Sequence, residues 1–167
     1  MKKSTYFWGL LCLAISGVAG ATNAPTTCYV QTFNGHYLTA VGGGGQLDGA
    51  IHTDATTPRS WEKLTLVDAG LGTANITYGI RTVKGFFLTA VDGGGRNTNV
   101  IHSDSGWLRD WEQFQLISLG GDWYAIRTYN GYYLTAVNGG GLTVNAIHSD
   151  SRQIRTWERF KFTCGIH

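Results

Sequence analysis

One series of motifs occurs three times along the chain, and it restricts the possible folds more than any other feature. FNGHYLTAVGGGG begins at Phe33, VKGFFLTAVDGGG at Val83 and YNGYYLTAVNGGG at Tyr129. Each is followed by a second block: AIHTD at Ala50, VIHSD at Val100 and AIHSD at Ala146. A third block closes the series, RSWEKLTL at Arg59, RDWEQFQL at Arg109 and RTWERFKF at Arg155. His52 and His102 are 50 positions apart and His102 and His148 are 46 apart. Trp61, Trp111 and Trp157 keep the same intervals, so insertions fall outside the blocks. A unit this small cannot bury an apolar face alone, and three of them must share one core. The 167 residues have room for one such core and not for two.

Within each unit the pattern is one of short strands and turns. CYVQTF, YGIRTV and YAIRTY are alternating β-formers, and the HYLTAV type of segment follows across an Asn-Gly or Lys-Gly turn, a hairpin signal. The glycine run then breaks the chain, IHxD reads as a short third strand, and WEKLTL, WEQFQL or WERFKF as a fourth. No segment shows sustained helical periodicity. Four strands in each of three units predict an all-β fold: a β-trefoil of twelve strands in three pseudo-equivalent four-strand repeats, at about 28–76, 77–122 and 123–164 of a domain spanning 28–164. A propeller is the competing arrangement, but propellers typically carry four or more blades.

The two ends add location and a cross-link. Residues 1–21 have the layout of a signal peptide: Lys2 and Lys3, an apolar run from Tyr6 to about Ile15, and small residues ending at Ala21, after which cleavage is expected. The run is short for a membrane span, and Cys12 lacks the preceding small residue of a lipoprotein site. The protein is therefore expected to be secreted or periplasmic, with no membrane insertion once the signal is removed. Losing Lys2 and Lys3 takes 13 basic residues to 11, against 11 acidic ones. A near-neutral chain without a basic run is a poor partner for nucleic acid. Cys28 and Cys164 are expected to form a disulfide in an oxidising compartment, which requires the first and last strands to be neighbours. Asn75-Ile76-Thr77 is a glycosylation sequon.

In the IHxD strand, alternation turns Ile51, Ile101 and Ile147 to one side and each His with its Asp to the other. Buried isoleucines place imidazole and carboxylate together at the surface. A carboxylate accepts from two adjacent sugar hydroxyls, an imidazole adds a donor or acceptor, and glycine lets backbone approach a ligand closely. These are the parts of a shallow sugar site. One candidate site per unit comprises Gly43, Gly44, His52 and Asp54; Gly93, Gly94, His102 and Asp104; and Gly139, Gly140, His148 and Asp150. Two structural alternatives stay open: the glycines supply positive φ in a bulged turn, and His and Asp bond each other or local backbone. The Arg-x-Trp-Glu motif reads as framework, with Trp61, Trp111 and Trp157 in the core and Arg–Glu pairs on the surface.

The repeated G-x-Y-L-T-A segment and later Trp-Glu-x-Phe strand resemble those of fascin-type β-trefoils, over about Cys28 to Cys164. That resemblance implies the fold, and with it an actin or filament contact as one possible kind of partner. The order Gly-Gly then His-x-Asp is also similar to the galactose-binding trefoil lectins of mussels, in which each repeat builds a sugar pocket. Those lectins carry His where Thr39, Thr89 and Thr135 stand, and a second His where Thr56, Gly106 and Arg152 stand. The likeness carries over only the three His-x-Asp pairs and the glycines. The expected function is a secreted carbohydrate-binding module with up to three shallow sites and glycans as partners. The alternative is a secreted protein-interaction module, either a filament contact or a hydrolase inhibitor. No enzyme activity, metal or cofactor is expected: no repeat sets a nucleophile beside its His, and Ser103 and Ser149 alternate inward.

Overall fold

A computed structural model describes residues 24–70 and 76–166. The signal segment 1–21 with its cleavage point, and Asn75 of the sequon, lie outside the described residues. Twelve strands follow in order, four to a unit. The first unit holds β1 (Thr26–Gln31), β2 (Tyr37–Ala40), β3 (Ile51–Ala55) and β4 (Leu64–Asp68). The second holds β5 (Thr77–Arg81), β6 (Phe87–Ala90), β7 (Ile101–Ser105) and β8 (Gln113–Ser118). The third holds β9 (Trp123–Arg127), β10 (Tyr133–Ala136), β11 (Ile147–Ser151) and β12 (Phe160–Cys164). The first and fourth strands of the units pair antiparallel in the closed order β1-β4-β5-β8-β9-β12 and back to β1. The second and third strands form three hairpins, β2-β3, β6-β7 and β10-β11, each with a bulge after its first pair. A six-strand barrel with three outer hairpins is the β-trefoil.

The core repeats in layers because the sequence does. Val30, Ile80 and Ile126 come from the first strands, Leu64, Phe114 and Phe160 from the fourth, and Leu38, Leu88 and Leu134 from the hairpins; all are buried. Ile51, Ile101 and Ile147 join them, so the alternation expected of IHxD holds and sets each Asp at the surface. Cys28 and Cys164 face each other in the β1–β12 register and are joined by a disulfide across 136 positions. The cross-link seals the barrel where its two chain ends meet.

The Trp-Glu segments depart from expectation. They are not the start of the fourth strand: Ser60–Glu62 and Asp110–Glu112 form 3-10 turns ahead of β4 and β8. The burial is also reversed. Trp61, Trp111 and Trp157 are 48%, 45% and 44% exposed, while Glu62, Glu112 and Glu158 are only 5%, 6% and 5% exposed. Each glutamate accepts from the hydroxyl of a hairpin threonine on one oxygen and from the backbone N–H of the Arg three residues earlier on the other. The distances are 2.7 and 2.6 Å for Glu62 with Thr39 and Arg59, 2.6 and 3.0 Å for Glu112 with Thr89 and Arg109, and 2.7 and 2.8 Å for Glu158 with Thr135 and Arg155. A chain reversal against a hairpin leaves donors that only a side chain can satisfy, and one carboxylate satisfies two. The tight turn that brings Glu inward carries Trp outward, and the apolar filling falls to Leu64, Phe114 and Phe160 two residues further on.

Candidate functional site

The six candidate glycines lie at the seams between units. Each glycine run packs on the following unit, in cyclic order. A Cβ on Gly44 would collide with the side chain of Thr82, one on Gly94 with Thr128, and one on Gly140 with Thr32. Gly43 and Gly44 have φ of 79° and 106°, a conformation that penalises any side chain. The backbone beyond them adds two rungs to the third strand of the next unit. Gly45 N–H donates to Ser103 O at 2.6 Å and Ser103 N–H to the Gln46 carbonyl at 2.8 Å. Gly95 and Arg96 do the same with Ser149, and Gly141 and Leu142 with Thr53. The inward hydroxyls of Ser103, Ser149 and Thr53 accept from these same runs at 3.1–3.2 Å. Those hydroxyls are held by the seam, on the side of the strand opposite the histidines.

The histidines and aspartates line a different surface. His52, His102 and His148 are half-buried opposite Thr39, Thr89 and Thr135 in the hairpin register, and Asp54, Asp104 and Asp150 are exposed two residues on. In the first unit His52 and Asp54 share a cleft of about 690 Å³ with Thr57, Arg59 and Trp61. The third unit has a cleft of about 610 Å³ at the corresponding place, lined by Asp150, Arg152, Gln153, Arg155 and Trp157 but not by His148. None of the six glycines lines either cleft. His52 Nδ1 lies 4.0 Å from Asp54 Oδ1, too far for a hydrogen bond, so the two groups face the cleft without binding each other. Nε2 of His102 is buried with no hydrogen-bond partner among the described residues.

Reading from the sequence missed the tryptophans and arginines of these walls. Strand alternation cannot place a residue in a 3-10 turn, and a Trp recurring at matched places in a barrel reads as core. A usable signal was present: in all three units a Thr precedes the Glu by 23 positions, marking that Glu as the buried partner and freeing the Trp beside it. The position at which the mussel lectins carry an extra His is here the threonine committed to that glutamate. Among the described residues no three His, Cys, Asp or Glu side chains gather as metal ligands, and no helix is long and apolar enough to cross a membrane.

The barrel, the hairpins and the threefold order of seams define the class as β-trefoil, and solved structures agree. The designed 3-fold symmetric protein ThreeFoil is similar over 82% of this chain and 97% of its own, at 17% identity and a TM-score of 0.68. The BEL β-trefoil, in an apo crystal form, matches over 87% and 98% at 15% identity and a TM-score of 0.63. SeviL, solved bound to asialo-GM1 saccharide, matches over 84% and 98% at 14% identity and a TM-score of 0.59. At these identities the likeness is one of fold. No protein-family model and no curated protein matches the chain.

Proposed function

We propose that this chain is a secreted carbohydrate-binding module with one shallow site per unit, and that it binds without catalysing. One observation carries the reading: in the first cleft an exposed carboxylate, a half-buried imidazole and an exposed indole line the same hollow. Asp54 accepts from a pair of adjacent sugar hydroxyls, His52 adds a further polar contact, and the Trp61 face covers the C–H face of the ring. The sequence repeats this set as His102, Asp104 and Trp111, and as His148, Asp150 and Trp157. Weak sites on one rigid barrel gain through avidity on a crowded glycan surface. The disulfide supports export, since such bonds persist in oxidising compartments.

The glycines have no part in this scheme beyond holding adjacent units together. The fascin-like segments are likewise absorbed by the framework: their Leu and Ala are core residues and their Thr anchors the buried Glu. They therefore lend no support to a filament contact. A glycan array probed with the processed chain tests the proposal. Binding should be competed by free monosaccharide and lost in the D54A/D104A/D150A variant. No glycan bound, or a variant that binds like the parent, would refute it.

A further inference from the structure

The first and third clefts share a plan but not a charge. Arg59, Arg109 and Arg155 recur in all three units, as do Asp54, Asp104 and Asp150. The third unit departs from both others at three positions that act together. Tyr132 stands where the other units have His36 and Phe86, Arg152 where they have Thr56 and Gly106, and Gln153 where they have Thr57 and Trp107. Arg152 donates from Nη2 to the Tyr132 hydroxyl at 2.8 Å, and its guanidinium carbon lies 4.6 Å from the centre of that ring. Neither Phe86 nor His36 offers a phenol for such an anchor. Arg155 donates from Nε and Nη2 to Gln153 Oε1 at 3.3 and 3.0 Å. Gln153 is itself fixed by Ser151, whose hydroxyl donates to the Gln153 carbonyl at 2.7 Å.

Both arginines line the third cleft, and both guanidinium groups are held by neutral acceptors. Neither forms an ion pair among the described residues. Each cleft carries two acids, Asp54 and Glu62 in the first and Asp150 and Glu158 in the third, so the third, with Arg152 and Arg155 against Arg59 alone, holds one more guanidinium. A guanidinium held in place with no carboxylate in direct contact suits a planar or tetrahedral oxyanion, because its donors are oriented in advance and less entropy is lost on binding. The second unit leans the other way, with Asp110 where the others have Ser60 and Thr156.

We infer that the third cleft selects acidic sugars, bearing a carboxylate or a sulfate, through Arg152 and Arg155, while the first cleft takes neutral ones. This rests on the carbohydrate-binding reading above. The first probes are a hyaluronan oligosaccharide for the carboxylate and a heparin oligosaccharide for the sulfate. N-acetyllactosamine serves as the neutral sugar and poly-glutamate as the acidic peptide. Each is titrated calorimetrically into the processed chain, R152Q/R155Q, Y132F and D54A.

At least one acidic oligosaccharide should bind, with affinity that falls as salt rises. It should weaken at least about tenfold in R152Q/R155Q, because charge-assisted hydrogen bonds are lost. Y132F keeps the charge but frees Arg152, and should lose a smaller factor. The neutral sugar should be untouched by the arginine changes and weakened by D54A. Equal binding of the acidic sugars by parent and R152Q/R155Q overturns the inference. So does poly-glutamate binding as tightly through the same arginines, which would mark a protein partner. If the neutral sugar binds through Asp54 and no acidic sugar binds, the selectivity fails and the carbohydrate reading stands. If no sugar binds at all, both fail. All substituted side chains except Tyr132 are exposed, and thermal melts of each variant confirm folding.

Discussion

The seams and the clefts repeat equally well along the sequence, yet they answer to different demands. At a seam, Gly44 lies against Thr82, Gly94 against Thr128 and Gly140 against Thr32, with no room for one more carbon. In a cleft, Asp54 is exposed and makes no closer charged contact than His52 at 4.0 Å. The first kind of residue recurs because a threefold ring closes only if each unit docks on the next in the same way. The second kind has no such obligation, since nothing in the fold needs its carboxylate. Recurrence inside one chain therefore does not separate framework from function. The separation comes from asking what each side chain touches.

If the ring is held by its seams, the largest losses should come from opening it. C28S/C164S removes the bond that joins the last unit to the first, and chain entropy over so long a loop predicts about 5 kcal/mol of lost stability in urea unfolding. A loss below about 1 kcal/mol would mean that the seams alone close the barrel. The next largest change is expected for G44A, at about 3 kcal/mol or more, since it combines positive φ with a collision in a packed seam. The seam reading is sharpened by a double-mutant cycle: T82A should recover part of the G44A loss and none of the loss in G94A, whose partner is Thr128.

The buried glutamates lie between the two regions, facing the hairpin on one side and backing the cleft on the other. E62A leaves the Thr39 hydroxyl and the Arg59 N–H without an acceptor and should cost about 2–4 kcal/mol. E62Q should cost clearly less, because its amide oxygen can accept from Arg59 N–H while its NH2 donates to a reoriented Thr39 hydroxyl. Equal losses in the two variants, measured by urea unfolding, would show that charge rather than hydrogen bonding holds the turn.

The fold was legible because its cause is one-dimensional. Period, strand alternation and the Asn-Gly or Lys-Gly turns together specify three four-strand units, and the inward Ile51, Ile101 and Ile147 follow from alternation alone. The cleft was only half legible for the same reason. His52 and Asp54 lie on a strand, where a two-residue rule applies, but Trp61 and Glu62 lie in a turn, where that rule gives the wrong side. Their inversion depends on Thr39, 23 residues earlier in sequence and adjacent only after the hairpin has packed. The glycines were ambiguous because positive φ and close approach of a ligand both call for the same residue. Only the neighbour, Thr82 and not a cleft, decides between them.

The smallest expected effect on stability is also the one that most sharply divides the two regions. Asp54 is exposed, and among the described residues its charged neighbour is a histidine beyond hydrogen-bond range, so D54A should change the unfolding free energy by no more than about 0.5 kcal/mol. Binding should behave otherwise. With one site per unit, the Asp54 and Asp104 sites would engage together on a surface dense in neutral glycan, and removing one leaves a single untethered contact. Retention should then fall by at least about tenfold, well beyond a loss in proportion to the number of sites. Surface plasmon resonance at two glycan densities reads this directly, because the gap between D54A and the parent should narrow as the glycans are spaced apart. A gap that does not change with density would mean that the clefts act singly. A D54A variant that unfolds as readily as G44A would mean that the carboxylate belongs to the framework after all.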